Sequence, residues 1–481
     1  VKVALNILIA SVLLALAGCK VGPDYHSPET KMPAQWASSP TNADAASSTN
    51  PAVVAATWWE TFHDAELNSL IARAVSSNLD LRMANARVRE ARAARGIVAG
   101  RLWPTADASG SYQRERISQR GFPTFPPGIK LEDNVYQAGF DSTWELDVFG
   151  GQRRSVEAAN AEIGAAEESR RSVMVSLLGE VARNYVEARG FQERLAIAQD
   201  NIKAQREAVR LTRDRFNSGL TSELDVQQAT VLLANTEAEV PTFETGFRVA
   251  CYSLAVLTAQ EPGALVSELS EAKPVPPVPP VVPAGLPSEL LQRRPDIRRA
   301  ERELAATTAR IGAAKADLFP KFSLTGSVGL QSVTASDWFT GASRFWSAGP
   351  TAQWRIFDAG QIRSNIRLQD ARQEEALANY EQTVLSSMQD VESALTGYAK
   401  EQVRRRSLGE AVQAGQRALQ LSEQLYKNGL ADYLQVLDSQ RSLYANEDAL
   451  AESDRTVAVN LVALYKALGG GWEGEEKEAM K

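Results

Sequence analysis

Tyr136-Gln137-Ala138-Gly139-Phe140-Asp141-Ser142-Thr143-Trp144-Glu145-Leu146-Asp147-Val148 sets Tyr136, Ala138, Phe140, Trp144, Leu146 and Val148 against Gln137, Asp141, Thr143, Glu145 and Asp147. A period of two belongs to a β-strand with unlike faces. The same period runs through Ala106, Ala108, Gly110 and Tyr112, through Phe322, Leu324, Val328 and Leu330, and through Trp346, Ala348, Ala352, Trp354 and Ile356. Half-buried soluble sheets also alternate. Strands of about ten residues with aromatic side chains near their ends, behind an export signal, instead favour lipid on one face and water on the other. Pro350 sits inside the fourth strand, where its missing N–H demands a bulge or a local break.

The four strands form two hairpins, and each hairpin interrupts a helical unit that occurs twice. Asp80-Leu81-Arg82 returns as Asp296-Ile297-Arg298 and Leu102-Trp103-Pro104 as Leu318-Phe319-Pro320, both at an offset of 216. Gly151-Gln152 returns as Gly360-Gln361 at 209, and Gly219-Leu220 with Leu224 and Val226 returns as Gly429-Leu430 with Leu434 and Val436 at 210. The first unit, 64–261, is expected to hold a helix over 64–100, a hairpin over 104–150 and helices over 152–217 and 222–259. The second, 286–468, repeats this with a helix over 288–317, a hairpin over 320–358 and helices over 360–427 and 432–468. A helix over 152–217 would be roughly 100 Å long at ~1.5 Å per residue. In each half the two shorter helices together match the long one, so they are expected to stack end to end beside it. Along the long helices, Met174, Leu178, Val181, Tyr185 and Ala188 step by four and three, as do Val384, Met388, Val391, Leu395 and Tyr398. That is coiled-coil spacing, though an ordinary bundle core would show it too.

Four strands cannot close a barrel, and open edges in hydrocarbon would leave backbone groups unpaired at several kcal/mol each. Identical copies must share the sheet. Two copies give eight strands and little lumen, whereas three give twelve around a water-filled one. The expected class is therefore a mixed α and β membrane protein of two structural repeats. Three copies would make it a homotrimer with a twelve-stranded β-barrel.

Outside the repeats, residues 1–18 read as a lipoprotein signal peptide, with an apolar run over 3–16 too short to be a comfortable span. An extended arm occupies 19–63, a Pro-rich connector with Pro274, Pro276, Pro277, Pro279, Pro280 and Pro283 occupies 262–285, and a flexible tail occupies 469–481. Cys251 has no partner in the mature chain and is expected as a buried apolar thiol. The formal charge of -7, with basic residues scattered, gives no nucleic-acid surface. His26 and His63 offer no metal-ligand spacing, and no phosphate loop or serine elbow is present, so neither an enzyme, a metal site nor a bound cofactor is expected.

Leu16-Ala17-Gly18-Cys19, Gly22-Pro23-Asp24-Tyr25, Arg293-Arg294-Pro295-Asp296-Ile297, Ala316-Asp317-Leu318-Phe319-Pro320 and Tyr433-Leu434-Gln435-Val436-Leu437-Asp438 are together specific. With them the chain resembles the TolC-like outer-membrane efflux proteins, in their acylated NodT/OprM-like branch serving resistance-nodulation-division pumps. The resemblance covers essentially the whole mature chain. It implies a Gram-negative outer-membrane location, extension into the periplasm, and Cys19 carrying diacylglycerol and an N-acyl chain. It implies a homotrimer in outer-membrane lipid whose twelve-stranded β-barrel continues into a twelve-helix periplasmic α-barrel, and which docks with a periplasmic adaptor (membrane fusion) protein and an inner-membrane transporter, giving passive exit to drugs or other toxic compounds.

The resemblance also places helix turns at 218–221 and 428–431, around Gly219 and Gly429, at the closed periplasmic tip. Asp225 and Tyr426 match linking positions there, Asp438 matches a constricting ring of carboxylates, and Arg441 a neighbouring basic position. Three like carboxylates on one axis repel each other and attract cations, which suits both gating and selection. Ala431 and Gln435 depart from the basic and acidic residues of the type member. The rival expectations are the same duct serving metal-ion or protein export, and a structural envelope lipoprotein without conductance. Replacing Cys19 with Ser is expected to remove the acyl chains, seen as loss of their mass from the intact mature protein. An unchanged mass would refute the lipid assignment.

Overall fold

The computed structural model describes residues 20–37, 47–48, 56–118, 120, 131–279, 282–283 and 285–473. The signal peptide, Cys19, Pro280 and most of the tail lie outside the described residues, as do parts of the arm and the first hairpin loop. The helices longer than five residues are α1 (Ala65–Ser77), α2 (Leu79–Gly100), α3 (Gly151–Asn217), α4 (Glu223–Leu257), α5 (Pro295–Ala316), α6 (Gln361–Lys427) and α7 (Tyr433–Ala467). The hairpin strands are β1 (Thr105–Arg116), β2 (Glu132–Leu146), β3 (Lys321–Ser332) and β4 (Arg344–Gln353). Both α3 and α6 contain 67 residues, and both α4 and α7 contain 35. The arm and the connector meet in a two-residue parallel bridge, Ser47–Ser48 with Val282–Pro283.

Two expected helices are each broken. The helix expected over 64–100 stops at Asn78, whose N–H bonds Ala74 O at 2.9 Å. Its side-chain oxygen then accepts Leu81 N–H at 3.0 Å, so one residue ends α1 and caps α2. The helix expected over 288–317 is interrupted at Arg294, which is extended, and Pro295 opens α5 where its missing N–H costs nothing. Leu79 and Pro295 are 216 apart, so the two halves break at the same point.

The chain divides into two compact units, one of residues 1–28, 88–166 and 300–380 and one of residues 29–87, 167–299 and 381–481. The first holds the sheet, a four-stranded antiparallel meander in the order β1-β2-β3-β4. Its register places Ala108, Phe140, Val328 and Trp346 in one row and Asp107, Asp141, Ser327 and Ser347 in the adjacent row on the other face. Phe140, Val328 and Trp346 are 64%, 56% and 79% exposed, as a lipid-facing row in one copy would be. Tyr112, Tyr136, Trp338 and Phe339 form a chain of rings with centroids 5.0, 5.8 and 5.0 Å apart at the loop end. The break expected at Pro350 does not occur. The ladder runs unbroken from Lys321↔Gln353 to Leu330↔Arg344 through Leu324↔Pro350, and β4 has a partner strand on one side only within a single copy, which leaves its other side to take up the missing N–H.

The same unit seats the start of the arm. Arg154 is fully buried and its guanidinium donates to Val21 O at 3.0 Å, Gly22 O at 3.2 Å, Asp24 at 2.8 Å and Glu157 at 3.0 Å. Gly22 has φ +94° and lies on Gly312, leaving no room for a Cβ. Tyr25 Oη donates to Glu301 at 3.1 Å. The Gly22-Pro23-Asp24-Tyr25 motif is thus a docking sequence, and it fixes Lys20, the residue after Cys19. The Arg154 guanidinium holds the Asp24 carboxyl below the usual carboxylate range.

In the second unit the coiled-coil positions are core. Met174, Leu178, Val181, Tyr185 and Ala188 are buried, as are Val384, Val391, Leu395 and Tyr398, with Met388 half-buried. Trp58 stacks on Tyr465 at 5.1 Å, and Tyr185 Oη donates to the α1 cap Asp64 at 2.7 Å. Buried Arg189 bonds Glu66 at 2.5 Å and Glu271 O at 2.8 Å. Tyr398 Oη donates to Pro279 O, pinning the connector. Cys251 is free and fully buried, and burial pushes its thiol up to about 11.

Replacing Arg154 with Met is expected to release the arm, read as faster tryptic cleavage after Lys20 with the remaining fragments unchanged. Because Asp24 is depressed, its part of the hold is complete above the ordinary carboxylate pKa and is lost as pH falls through the folded value. Cleavage of the wild-type arm by pepsin, which is active in acid, should therefore rise as pH falls through that range, and a protected arm in the variant would refute the clamp.

Candidate functional site

The two helix turns are built alike. At the first, Gly219 adopts φ +70°, its N–H bonds Phe216 O at 2.9 Å, and Leu220 N–H bonds Arg215 O at 2.9 Å. At the second, Gly429 adopts φ +72°, its N–H bonds Tyr426 O at 3.1 Å, and Leu430 N–H bonds Leu425 O at 2.9 Å. This paired bonding satisfies the last carbonyls of a long helix and turns the chain sharply, and it needs the left-handed conformation that glycine adopts without a Cβ penalty. Leu220, Leu224, Leu430 and Leu434 project from the turns with 58–74% of their surface exposed. Exposed leucines at equivalent places in both halves give each turn an apolar rim.

Around the second turn the side chains converge. Tyr426 and Tyr433 pack with centroids 5.4 Å apart in a cluster with Ala229 and Val436, and the Arg215 guanidinium lies 4.5 Å over the Tyr426 ring. Half-buried Asp225 accepts the Thr221 hydroxyl. Burial pushes the Tyr433 hydroxyl up to about 12, with Tyr426 and Asp225 adding to the shift. Burial also raises Tyr426, with Arg215 opposing and Asp225 reinforcing. Asp225 and Tyr426 therefore share one cluster that joins the two halves. Asp438 and Arg441 form a separate, exposed pair at 2.9 Å, one helical turn apart on α7.

Arg215, Thr221 and Tyr433 belong to this cluster and were given no role at the site from sequence, although Tyr433 opens the Tyr433–Asp438 motif and Thr221 closes the 218–221 turn. Tyr433 carried a signal, since Tyr426 and Tyr433 are aromatic residues flanking a glycine turn. Arg215 and Thr221 carried none, because their repeat mates 210 residues on are Leu425 and Ala431. The halves differ here, with Asp225 and Thr221 answered by Gln435 and Ala431. No group of side chains suited to hold a metal ion occurs among the described residues.

An amphipathic four-stranded sheet with open edges, joined to 67-residue helices that end in paired glycine turns, defines an outer-membrane channel subunit. A sequence model of the family described as Outer membrane efflux protein matches residues 70–260 and again 286–470, one match per repeat. The chain belongs to that family. It is 31% identical over 472 residues to Nodulation protein T of Rhizobium leguminosarum bv. trifolii, covering 97% of each chain. It is 32% identical over 461 residues to the solvent efflux pump outer membrane protein SrpC of Pseudomonas putida, covering 96% of this chain and 97% of that one. Its fold matches the outer-membrane channel OprN with a TM-score of 0.88 at 37% identity, over 95% of this chain and all of that one. The fold is that of the trimeric outer-membrane efflux channels.

Replacing Tyr433 with Ala removes a fully packed ring and is expected to cost about 3 kcal/mol locally. The turn at 428–431 should become more susceptible to protease while the sheet stays folded. Unchanged susceptibility would show that the cluster does not hold the turn.

Proposed function

We propose that this chain is the exit duct of a tripartite efflux pump, anchored through acylated Cys19 in the outer membrane of a Gram-negative bacterium. It carries drugs or other toxic small molecules delivered by an inner-membrane transporter of the resistance-nodulation-division type through a periplasmic adaptor. It does no chemistry of its own. The observation that carries this reading is the sheet. Its apolar residues form exposed rows on one face, its polar residues occupy the other, and a single copy leaves both edges open. Three copies close twelve strands around a polar lumen.

The glycine turns form the closed tip. The Asp225, Tyr426, Tyr433 and Arg215 cluster holds the two turns of one copy together, and Asp438 with Arg441 supplies charge beside it. Asp438 is exposed, and three such carboxylates arranged around an axis would give a constriction that favours cations, with Arg441, its pairing partner within the copy, opposing that preference. The rim leucines are the surface offered to the adaptor. The solvent efflux role of SrpC and the full-length match support small-molecule cargo.

Purified protein in a planar bilayer is expected to conduct with a cation preference. Replacing Asp438 with Ala should lower that preference or raise the leak. A folded oligomer that passes no current would refute the duct, and a conducting variant with unchanged selectivity and leak would remove Asp438 from the gate.

A further inference from the structure

The tail expected to be flexible over 469–481 is docked at its start. Residues 467–472 are all buried, and Trp472 keeps only 8% of its surface exposed. α7 closes at Gly469, where φ is +73°, with Gly469 N–H bonding Lys466 O at 3.0 Å and Gly470 N–H bonding Tyr465 O at 3.2 Å. Gly471 then adopts φ +107°. A Cβ at Gly471 would lie 2.6 Å from Leu178 Cδ1 and 3.1 Å from Trp58 Nε1. Glycine is required there twice over, by conformation and by space.

These glycines deliver the Trp472 ring to a seat made by both repeats. Its Nε1 donates to Arg293 O at 3.0 Å. The guanidiniums of Arg171 and Arg298 both lie over the ring, 4.6 and 5.3 Å from its centroid. Buried Glu168 accepts from the same two arginines, at 2.5 and 2.7 Å, and so holds both cations in place. Cations over an indole face attract it most strongly where water is excluded. Residues 469–472 therefore touch the arm at Trp58, α3 at Arg171 and Leu178, the chain break at 293–294 and α5 at Arg298.

The duplication shows that this seat is an addition to the common plan. In the first half Asn78 Nδ2 donates to Leu257 O at 2.9 Å, and in the second Arg294 Nη1 donates to Ala467 O at 3.0 Å. The donors are 216 apart and the acceptors 210 apart, so each break is tied to the end of its return helix in the same way. The helix ends match too, since Ala259 has φ +54° and Gln260 N–H bonds Ala255 O at 2.8 Å. Beyond that point the halves part. Residues 259–262 are exposed and lead into the connector, whereas their mates 469–472 are buried against the break.

We propose that Gly469–Trp472 is a strap that locks the 293–294 break to α3 and to the arm, and so fixes the C-terminal end of α7. Tyr433 and Asp438 lie at the opposite end of that helix, so the strap gives the helix that reaches the second turn an immobile end. Nothing in this lock requires conduction, and its failure would leave the channel reading as it stands.

The test is amide hydrogen exchange, read by mass spectrometry on the purified full-length protein, with residues 293–298 followed beside their counterparts 78–82. Trp472→Ala removes the ring, and Gly471→Ala removes the room and the conformation that seat it. In both variants exchange at 293–298 should be at least about tenfold faster than in the wild type, while 78–82, held by Asn78, keep the wild-type rate. Trp472→Phe keeps a ring under the arginines and drops only the donor to Arg293, so it should recover most of the protection. Unchanged exchange at 293–298 in both alanine variants would overturn the strap. Equal acceleration at 78–82 would overturn it as well, because the effect would then be general loosening. A phenylalanine variant no better protected than the alanine one would overturn the arginine-stacked ring as the holding contact.

Discussion

A β-sheet in hydrocarbon must give every backbone N–H and C=O a partner, and one copy of this chain leaves two strands half-satisfied. Everything else follows from that deficit. The lipid-facing rows are exposed in a single copy because their solvent is the bilayer, and the opposite face is polar because association turns it inward. The chain cannot reach its final state alone, so folding and assembly are one process. Duplication makes this economical, since a sheet seam that works within the chain can be used again between chains.

The same duplication governs the helices. Both long helices have 67 residues and both return helices 35, so the two turns fall at equivalent ends. Each turn uses a left-handed glycine with the same two backbone bonds. The side chains around the turns nevertheless depart from the repeat. Tyr426 is buried where its mate Phe216 is exposed, and Asp225 is answered by Gln435. The proposed gate would draw on this asymmetry, because the two turns are held by different contacts.

Much of this was legible in the residues. Strand alternation identified the hairpins, and the glycines fixed the turns. The spacing of Met174 through Tyr398 marked the core positions, of which only Met388 is incompletely buried. Where the reading went astray, one residue mattered. Asn78 and Arg294 break helices whose periodicity continues across them, and the break is decided by Asn78 capping Leu81 and by Pro295 opening a helix, effects local to one peptide. The Pro350 expectation treated β4 as an interior strand, whereas its position at the edge depends on strand order, which alternation does not encode. The Arg154 clamp was invisible for a related reason. An arginine on a charged helix reads as solvated until the arm is placed over it.

The central claim is that both sheet edges are sealed by other copies of the chain, and amide hydrogen exchange on the membrane-inserted protein measures this most directly. The account predicts that amides of 105–116 and 344–353 exchange as slowly as those of the interior strands 132–146 and 321–332. Fast exchange along both edge strands, in protein whose interior strands remain protected, would contradict it.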